Sequence, residues 1–399
     1  MAASAPALLD LDVTGIAHGG TFIARHEGRV VFVADAVPGE RVRAKVVDDA
    51  KASFWRAETV EVLDASPHRR PHVWAEADIS RAPDDRAGGA DLGHIDLGHQ
   101  RTLKRQVLSE ALNKFAGGGI EAPLVAPVDD SDGTGWRTRV SLHVDAEGIV
   151  GPYAARSHRV IAVDSYPLAR QRIAAEALSL RNAKPGRIDL VESADGEVHV
   201  LRRPERGKRP VPRTIVERVD DRAFSVDLDG FWQVHPRAAS VLDAAVRSAL
   251  DGRVDPDATH FDLYGGVGLL ASSLAQAGAR DIVTVESSPR ATAHARENLA
   301  AVDVTAVTAR VDHYLAGLPA GASAGAVVLD PPRAGAGRAV VEGIHALTPD
   351  AVVYVACDPV ALARDLGTFR GLGWDVASLE AFDFFPHSHH FEAVALLSR

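Results

Sequence analysis

Hydrophobic and polar residues alternate along four short runs in the first 64 residues: LLDLDV, GRVVFVA, ERVRAKVV and AETVEVL. Turn-forming residues separate these runs, notably Gly15, His18-Gly19-Gly20 and Pro38-Gly39. Several short strands at this spacing are typical of a small all-β barrel. We therefore predict that residues 1–64 form a five-stranded OB-type barrel, a fold that often binds single-stranded nucleic acid.

The pattern is mixed between residues 65 and 235, which we predict to be a central domain. SPHRRPH, after Asp64, is a predicted linker because proline disfavours regular structure, and the polar run HVWAEADISRAPDDRAGGADLGH predicts loops. LGHQRTLKRQVLSEALNKF carries apolar residues at helical spacing and predicts a helix. Alternation returns in three runs and predicts a β-rich module: RTRVSLHVD, GIVGPYA and HRVIAVDSYPL.

From residue 236 to residue 399 short apolar runs alternate with helical stretches such as PRATAHARENLAAV. The apolar runs are HFDLYGG, DIVTVES, AGAVVLD, AVVYVAC and FEAVALLS. This alternation predicts an α/β domain built on a doubly wound, parallel sheet.

The composition is that of a globular protein, with 46% hydrophobic and 25% charged residues among 399. No run of about 18 apolar residues is available to span a membrane. The N-terminus lacks a basic region before its short apolar stretch, which disfavours a signal peptide. A single cysteine excludes an intrachain disulfide framework. We expect a cytoplasmic protein.

The formal net charge of −10 argues against a general polyanion binder, although local basic clusters occur. One cluster comprises Arg137, Arg139, Arg156 and Arg159, and another is the segment RRPERGKRPVPR from Arg202 to Arg213. Solvated loops and RNA contacts are both compatible with such clusters.

A glycine turn predicts the cofactor site. Phe261 to Ala275 reads as a strand, a turn containing Gly266 and Gly268, and a helix. Glycine there would let the backbone approach a ligand, and Glu286 follows about 20 residues later, where an acid binds a ribose. NAD and S-adenosylmethionine both fit. Ala271 stands where the last glycine of the dinucleotide fingerprint is expected, which disfavours NAD without excluding it.

Two further strand ends carry candidate reactive groups. Asp330 ends a buried strand and is followed by two prolines that hold a rigid turn. Cys357 ends the next strand and precedes Asp358-Pro359 and a predicted helix. A lone cysteine is often a small buried hydrophobe, but this position favours a nucleophile whose thiolate the helix N-terminus would stabilise.

Glu392 begins the last apolar run, close behind three histidines at positions 387, 389 and 390. No acidic residue or cysteine completes a metal-ligand spacing with these histidines, so we predict no metal site. We expect them at the surface or in the wall of the active site.

Together these motifs resemble those of the RNA uracil-5-methyltransferase family. The motifs are DLYGGVG, VESSP, LDPPRAG, YVACDP and PHSHHFEAVALL, in this order. FWQVHP resembles the entry to that family's Rossmann-like catalytic domain, and the N-terminal region is similar to its TRAM domain. The resemblance implies Cys357 as nucleophile and Glu392 as base. It implies S-adenosylmethionine contacts at Gln233, Tyr264, Glu286 and Asp330, with Asp312 near the adenine.

The implied chemistry explains the two reactive residues. Carbon 5 of uracil is a weak nucleophile until a thiolate adds to carbon 6, and a base must later remove the carbon 5 proton. The target base must leave its stack to reach both groups. The chain departs from the family at Leu269 and Asp358, where asparagine is usual, and Ala87-Gly88-Gly89-Ala90 replaces a CGGC segment, so we predict no iron–sulfur cluster.

Two other functions stay open. An amino-group nucleic-acid methyltransferase could use Asp330-Pro331-Pro332 without a cysteine, and a non-catalytic RNA-binding protein would need no cofactor. By analogy with family members that carry the barrel, ribosomal RNA is favoured over transfer RNA as substrate. We expect RNA as the partner, with no membrane and no obligate protein partner.

Overall fold

Five N-terminal strands close into a barrel in the computed structural model, which describes residues 7–51, 53–181, 183–206 and 211–399. The strands are β1 (Leu8–Ala17), β2 (Thr21–His26), β3 (Arg29–Ala34), β4 (Arg41–Asp48) and β5 (Phe54–Asp64). They pair in the order β1-β2-β3-β5-β4. Alternate apolar side chains, such as Leu11, Val13, Val31 and Val33, fill the interior and remove apolar surface from water. The predicted five-stranded barrel is confirmed.

Strand β2 is the barrel strand that the hydrophobic pattern did not predict. Its sequence TFIARH buries fully only Phe22 and Ala24, which is too few apolar positions to stand out. It pairs with both β1 and β3, and the turn into β3 places Glu27 and Gly28 at positive φ. Pairing with two neighbours therefore makes a strand of a segment whose own pattern is weak.

Helix α1 (Leu97–Phe115) has the bounds that its apolar spacing predicts. The Asp96 carboxylate accepts a hydrogen bond from the His99 N–H at 2.8 Å and caps the first turn. Leu103 packs into the barrel core, whereas Leu108 and Leu112 pack into the core of the C-terminal sheet. The same helix therefore links the barrel to the sheet. The polar stretch before it is irregular, as predicted, apart from the 3₁₀ turns Ala75–Ala77 and Pro83–Asp85.

The central region contains a four-stranded antiparallel sheet, a two-stranded hairpin and one helix. Its elements are β6 (Val125–Pro127), β7 (Arg139–Val144), β8 (Val150–Gly151), α2 (Gln171–Ser179), β9 (Gly186–Glu192), β10 (Val198–Pro204), β11 (Thr214–Val219) and β12 (Arg222–Asp227). The larger sheet has the order β10-β9-β7-β8, and β11 pairs with β12. Strand β6 instead joins the C-terminal sheet.

The alternating run HRVIAVDSYPL was predicted to contribute β structure to this region, and this prediction is wrong. Its residues form no strand and take part only in the isolated bridge between Tyr153 and Val160. The Glu76 carboxylate accepts hydrogen bonds from the Asp164 N–H at 2.6 Å and from the Ser165 hydroxyl at 3.0 Å. A side chain thus takes backbone groups that a neighbouring strand would otherwise bind.

The C-terminal region forms an eight-stranded sheet with helices on both faces. Its elements are α3 (Ala238–Leu250), β13 (Thr259–Leu263), α4 (Leu269–Gln276), β14 (Asp281–Glu286), α5 (Pro289–Asn298), β15 (Val304–Thr308), α6 (Val311–Ala316), β16 (Ala326–Leu329), α7 (Arg338–Ala346), β17 (Ala351–Ala356), α8 (Pro359–Gly371), β18 (Asp375–Asp383) and β19 (Glu392–Ser398). Separate hydrophobic cores lie on the two faces. The α/β fold with its doubly wound sheet is confirmed. No described helix has both the length and the apolar character needed to cross a bilayer.

The strand order is β15-β14-β13-β16-β17-β19-β18-β6, and only the first five strands are all parallel. Strand β19 runs antiparallel to both β17 and β18, so the prediction of a fully parallel sheet is wrong at this end. The chain passes from β18 to β19 through a short connection without a helix, and such a connection reverses strand direction. Apolar periodicity carries no information about that direction.

Candidate active site

A cleft of about 1180 Å³ opens at the carboxyl ends of β13, β14, β16 and β17, where doubly wound sheets bind ligands. Every candidate site residue of the sequence analysis lines it: Gln233, Tyr264, Glu286, Asp312, Asp330, Cys357 and Glu392. We call the part lined by Tyr264, Gly266, Glu286 and Asp312 the glycine-turn end. The part lined by Asp330, Cys357 and Glu392 is the cysteine end. Folding therefore gathers residues that are far apart in the chain.

The glycine turn between β13 and α4 contains a tightly packed glycine that the sequence analysis did not single out. A Cβ on Gly265 would lie 2.0 Å from Thr284 Oγ1 and 2.5 Å from Asp262 Oδ2. Gly266 has a φ of 54°, and no heavy atom lies within 4 Å of its would-be Cβ, so its backbone is open to the cleft. A Cβ on Gly268 would instead lie 2.7 Å from Leu299, so packing explains that glycine. Of the two predicted ligand-facing glycines, only Gly266 has this open environment.

Glu286 ends β14 and anchors the glycine turn. Its Oε2 accepts a hydrogen bond from the Gly266 N–H at 3.2 Å, and its Oε1 accepts one from the Ser288 N–H at 2.6 Å. Ser288 in turn caps α5. Glu286 is half-buried and lines the cleft, so its carboxylate can accept hydrogen bonds from a ligand's hydroxyl groups.

Asp312 and Tyr264 complete the glycine-turn end. A hydrogen bond from the Arg310 guanidinium lowers the pKa of the Asp312 carboxyl and keeps it ionised. Burial, followed by the charge of Asp312, raises the pKa of Tyr264 to about 12, so its hydroxyl keeps its proton. Gln233 is buried, lines the same cleft and precedes Val234, whose carbonyl accepts the Thr138 N–H at 2.9 Å. The site thus offers ionised acceptors and neutral donors for a polar ligand.

Cys357 directly follows β17 and is partly buried. Burial raises the pKa of its thiol to about 12, and the neighbouring carboxyls of Glu392 and Asp330 add to the effect. The expectation that the α8 N-terminus stabilises a thiolate is therefore wrong for the protein alone. The Asp358 carboxylate accepts the Val360 and Ala361 N–H groups at 3.0 and 2.8 Å, so a carboxylate already occupies the end of that helix.

The carboxyl groups of Asp330 and Glu392 accept no hydrogen bond from any described residue. Burial, followed by the charge of Asp330, raises the pKa of Glu392 well above its ordinary value. Burial, followed by the charge of Asp262, raises the pKa of Asp330 to about 7. Both groups therefore hold protons more strongly than exposed carboxyls, and their oxygens are available to form hydrogen bonds with a substrate.

The three histidines before Glu392 have separate environments. His387 is buried between Gln100 Nε2 at 3.1 Å and the Asp132 carbonyl at 3.0 Å. His389 Nδ1 lies 2.7 Å from the Asp91 carboxylate, whereas His390 lines the cleft. Burial, followed by the charge of His389, lowers the pKa of His390 to about 3 and keeps it neutral. Within the described residues no group of three or more potential metal ligands is arranged around a common point.

The barrel reaches the cysteine end, which the sequence analysis did not anticipate. His18, in the β1–β2 loop, places Nε2 2.8 Å from Asp358 Oδ2, although the two residues are 340 positions apart. This hydrogen bond raises the pKa of His18. Burial opposes ionisation of Asp358, but the hydrogen bonds to its carboxylate, that of His18 first, lower its pKa overall. A second cavity of about 130 Å³ lies between this loop and Cys357. No local sequence signal reports such a contact.

The segment Ala87-Gly88-Gly89-Ala90 packs into the central domain. Both alanines are buried, and the Ala87 N–H donates to the Glu76 carbonyl at 2.7 Å. The Gly88 N–H donates to the Tyr153 carbonyl at 3.1 Å. Apolar packing and backbone hydrogen bonds therefore hold this segment.

Comparison with known proteins identifies the family. Residues 321–399 match the model described as tRNA (uracil-5-)-methyltransferase, and residues 8–60 match the TRAM domain. An uncharacterized RNA methyltransferase of Streptomyces avermitilis is 39% identical, with 97% of each chain covered. One of Bifidobacterium longum is 34% identical, with 95% of this chain and 94% of its own length covered.

The fold is similar to that of the tRNA (uracil-54, C5)-methyltransferase of Pyrococcus abyssi, solved in complex with S-adenosyl-L-homocysteine. The TM-score is 0.71 and the sequences are 21% identical, with 97% of this chain and 99% of that chain covered. At this identity the likeness concerns the fold. The relatives from Streptomyces avermitilis and Bifidobacterium longum match over almost the whole chain. The chain therefore belongs to the RNA uracil-5-methyltransferase family.

Proposed function

We propose that this enzyme methylates carbon 5 of a uridine in RNA through a covalent adduct with Cys357. The observation that carries the proposal is the cysteine end of the cleft. There the only thiol of the chain shares the cleft with the buried carboxyl of Glu392 and the half-buried carboxyl of Asp330, neither of which accepts a hydrogen bond from a described residue. A thiol and a strongly basic carboxylate are the two groups that this reaction requires.

The glycine-turn end fits S-adenosylmethionine as the methyl donor. The open space above Gly266 admits a ligand against the backbone, and the acceptors on Glu286 and Asp312 suit a nucleoside. Gln233, Tyr264, Glu286 and Asp330 would hold this group, with Asp312 beside the adenine. When bound, it supplies an electrophilic methyl group that carbon 5 of the activated uracil accepts.

Cys357 and Glu392 would divide the remaining chemistry. The Cys357 thiol releases its proton to solvent and the resulting thiolate bonds to carbon 6, and the displaced electron pair of the carbon 5–carbon 6 double bond makes carbon 5 nucleophilic. After carbon 5 is methylated, the Glu392 carboxylate takes the carbon 5 proton. The double bond re-forms and the carbon–sulfur bond breaks with its electron pair on sulfur, which releases the Cys357 thiolate. The proton on Glu392 then passes to solvent. The raised pKa of Glu392 makes it a stronger base than an exposed glutamate.

The thiol pKa of about 12 implies that Cys357 is held in its protonated form until the cleft is filled. A cationic ligand near the sulfur would lower that pKa, because it favours the thiolate. The site would then generate its nucleophile only when the methyl donor is present.

A decisive test uses RNA in which 5-fluorouridine replaces uridine. Fluorine cannot leave as a cation, so the reaction stops at the adduct, and a denaturant-stable protein–RNA complex accumulates with S-adenosylmethionine but not without it. The Cys357→Ala variant should form no adduct. Methylation by that variant would support the amino-group reaction instead, and failure of the wild type to bind S-adenosylmethionine would support a non-catalytic RNA-binding protein.

We propose ribosomal RNA as the substrate in preference to transfer RNA, on the strength of the N-terminal TRAM barrel. The competing outcome is transfer RNA, which the matched family model names. Mass spectrometry of 5-methyluridine in both RNA classes, from cells with and without the gene, separates the two. Loss of the nucleoside from transfer RNA alone would refute our choice while leaving the reaction intact.

A further inference from the structure

The arginines of the basic cluster at Arg137, Arg139, Arg156 and Arg159 differ in whether they form ion pairs within the protein. Three members form ion pairs with carboxylates: Arg139 with Glu217 at 3.2 Å, Arg156 with Glu58 at 3.1 Å, and Arg159 with Asp85. Arg137 forms no ion pair with any described residue. Carboxylates of the protein itself neutralise these three arginines, whereas none forms an ion pair with Arg137.

The second basic segment, Arg202 to Arg213, provides no equally clear candidate. Arg203 is paired with Asp189 at 2.9 Å, and Arg213 lies 3.3 Å from a ring nitrogen of His199. Residues 207–210 of that segment lie outside the described residues. Among the described arginines of the two clusters, Arg137 alone lines the large cleft.

Hydrogen bonds hold the backbone of Arg137 in place, but its guanidinium group has few hydrogen-bond partners. Its N–H donates to the Leu168 carbonyl at 2.8 Å, and its carbonyl accepts the Arg170 N–H at 3.0 Å. Its guanidinium lies 4.8 Å from the ring centre of Trp136, and one Nη contacts the Gly89 carbonyl at a long 3.4 Å. The Nε atom is buried without a partner. Burial lowers the pKa of Arg137, and the charge of Asp91, which forms no ion pair with it, offsets only part of that cost.

The position of Arg137 in the cleft indicates which anionic group it would bind. The Trp136 ring contacts Phe385 edge-on at 6.0 Å, and Phe385 contacts His390 at 5.8 Å. His390 lines both the large cleft and the small cavity beside Cys357. Arg137 therefore stands on the wall that leads to the cysteine end, where the RNA base must enter. The anionic group that RNA brings there is its phosphodiester, which a guanidinium binds with two parallel hydrogen bonds.

We propose that Arg137 binds a backbone phosphate of the RNA next to the target uridine and so positions the base in the cleft. This inference rests on the proposed function, because it takes RNA as the ligand. It would give a chain of net charge −10 a local cation for the RNA backbone, in the same cleft as Arg333, which also forms no ion pair with any described residue. Arg137 would act on binding and position, and Cys357 and Glu392 on the chemistry.

The test compares Arg137→Met with Arg159→Met, whose exposed ion pair should contribute little. For Arg137→Met we expect the KM for RNA to rise about tenfold or more. The slope of log KM against log salt concentration should fall by about 0.7, the loss of one phosphate contact on a single strand. The dissociation constant for S-adenosylmethionine and kcat at saturating RNA should stay within about twofold. Arg159→Met should behave as wild type in every assay.

The first arm of a second measurement uses only the wild-type protein, so it does not depend on the stability of a variant. In RNA substrates with one neutral methylphosphonate linkage at successive positions, the wild type should lose affinity about tenfold at one linkage beside the target. Arg137→Met should lose nothing further at that linkage. Arg137→Lys keeps the charge but not the paired hydrogen bonds, so its loss of affinity at that linkage should lie between those of the wild type and of Arg137→Met.

Three outcomes would overturn the proposal. A weaker affinity for S-adenosylmethionine with an unchanged KM for RNA would assign Arg137 to the carboxylate of the methyl donor. Unchanged constants for both ligands would make its role structural, and a uniform response along the methylphosphonate series would exclude a local contact. If the wild type forms no adduct with 5-fluorouridine RNA but Arg137→Met still weakens RNA binding, then the proposed reaction fails and the phosphate site stands.

Discussion

At the glycine-turn end of the cleft, Glu286 and Asp312 accept hydrogen bonds from neighbouring backbone and guanidinium groups. At the cysteine end, Asp330 and Glu392 accept none from the described residues, and burial raises the pKa of both. The same functional group is therefore prepared as a charged hydrogen-bond acceptor at one end and as a proton acceptor at the other. The difference lies in solvation and partners, which sequence motifs do not display.

The largest effect should come from removing the base at the cysteine end. Glu392→Gln keeps the shape of the side chain but cannot take the carbon 5 proton, so turnover should fall about 10³-fold. Because the adduct forms before that step, ordinary uridine RNA should now remain covalently bound to Cys357 after methyl transfer. Gel electrophoresis under denaturing conditions and mass spectrometry would detect it.

Glu380→Gln serves as the matched control for Glu392, since Glu380 is an exposed glutamate on the adjacent strand β18. It should turn over at the wild-type rate and trap nothing. If Glu392→Gln also keeps turnover within about tenfold of the wild type, another group removes the proton, and the contrast between the two ends of the cleft is lost.

At the glycine-turn end we expect an effect on binding. Glu286→Gln removes the charge that strengthens its hydrogen bonds, so the dissociation constant for S-adenosylmethionine should rise about 10- to 100-fold, as measured by calorimetry. The rate at saturating methyl donor should change much less. An unchanged affinity, or a loss confined to kcat, would show that Glu286 supports the turn without touching the ligand.

A smaller effect should appear in the reactivity of the thiol. The charge of Asp330 helps to raise the pKa of Cys357, so Asp330→Asn should lower that pKa and increase the thiolate fraction at pH 8.5. Alkylation by iodoacetamide should then be about three- to tenfold faster. Since the chain has one cysteine, whole-protein mass spectrometry follows the reaction directly. Equal or slower alkylation would show that the charge of Asp330 does not contribute to the raised pKa of this thiol.

The smallest effect concerns the stability of the sheet between the two ends. Burial raises the pKa of Asp262 from 3.8 to about 7, although Thr284 and Ala271 hydrogen-bond its Oδ2. Between pH 4 and 7 the folded protein holds this proton while the unfolded chain releases it, so its contribution to stability falls as pH rises. Asp262→Asn cannot titrate, and its Tm relative to wild type should increase by about 2 °C from pH 4.5 to 8. A Tm difference independent of pH would contradict this assignment.

Local pattern predicted much of the fold. The bounds of α1 follow from its apolar spacing. The barrel and five of the eight strands of the C-terminal sheet follow from short apolar runs between turn residues, whereas β6, β15 and β18 were not predicted. Strand β2 was missed because it buries only two residues fully, and HRVIAVDSYPL was misassigned because Glu76 binds its backbone. Both errors arise where a distant partner decides the conformation of a short segment.

The candidate site was predicted as a set of residues, and the cleft does bring that set together. Its electrostatics could not be predicted. The thiol was expected to be stabilised as thiolate by a helix N-terminus, yet Asp358 caps that helix and the thiol pKa rises to about 12. Neither the contact of His18 with Asp358 nor the lack of a partner for Arg137 leaves any trace along the chain.

The sequence by itself determined the order of elements, the glycine turn and the residues that end each strand, because these depend on periodicity and on backbone preferences over a few residues. Only the tertiary structure decided which carboxyls are buried, which arginines of a basic cluster form ion pairs and how far the barrel reaches toward Cys357. Desolvation and charge pairing act through space over a few ångströms, between groups that the chain separates by tens to hundreds of residues.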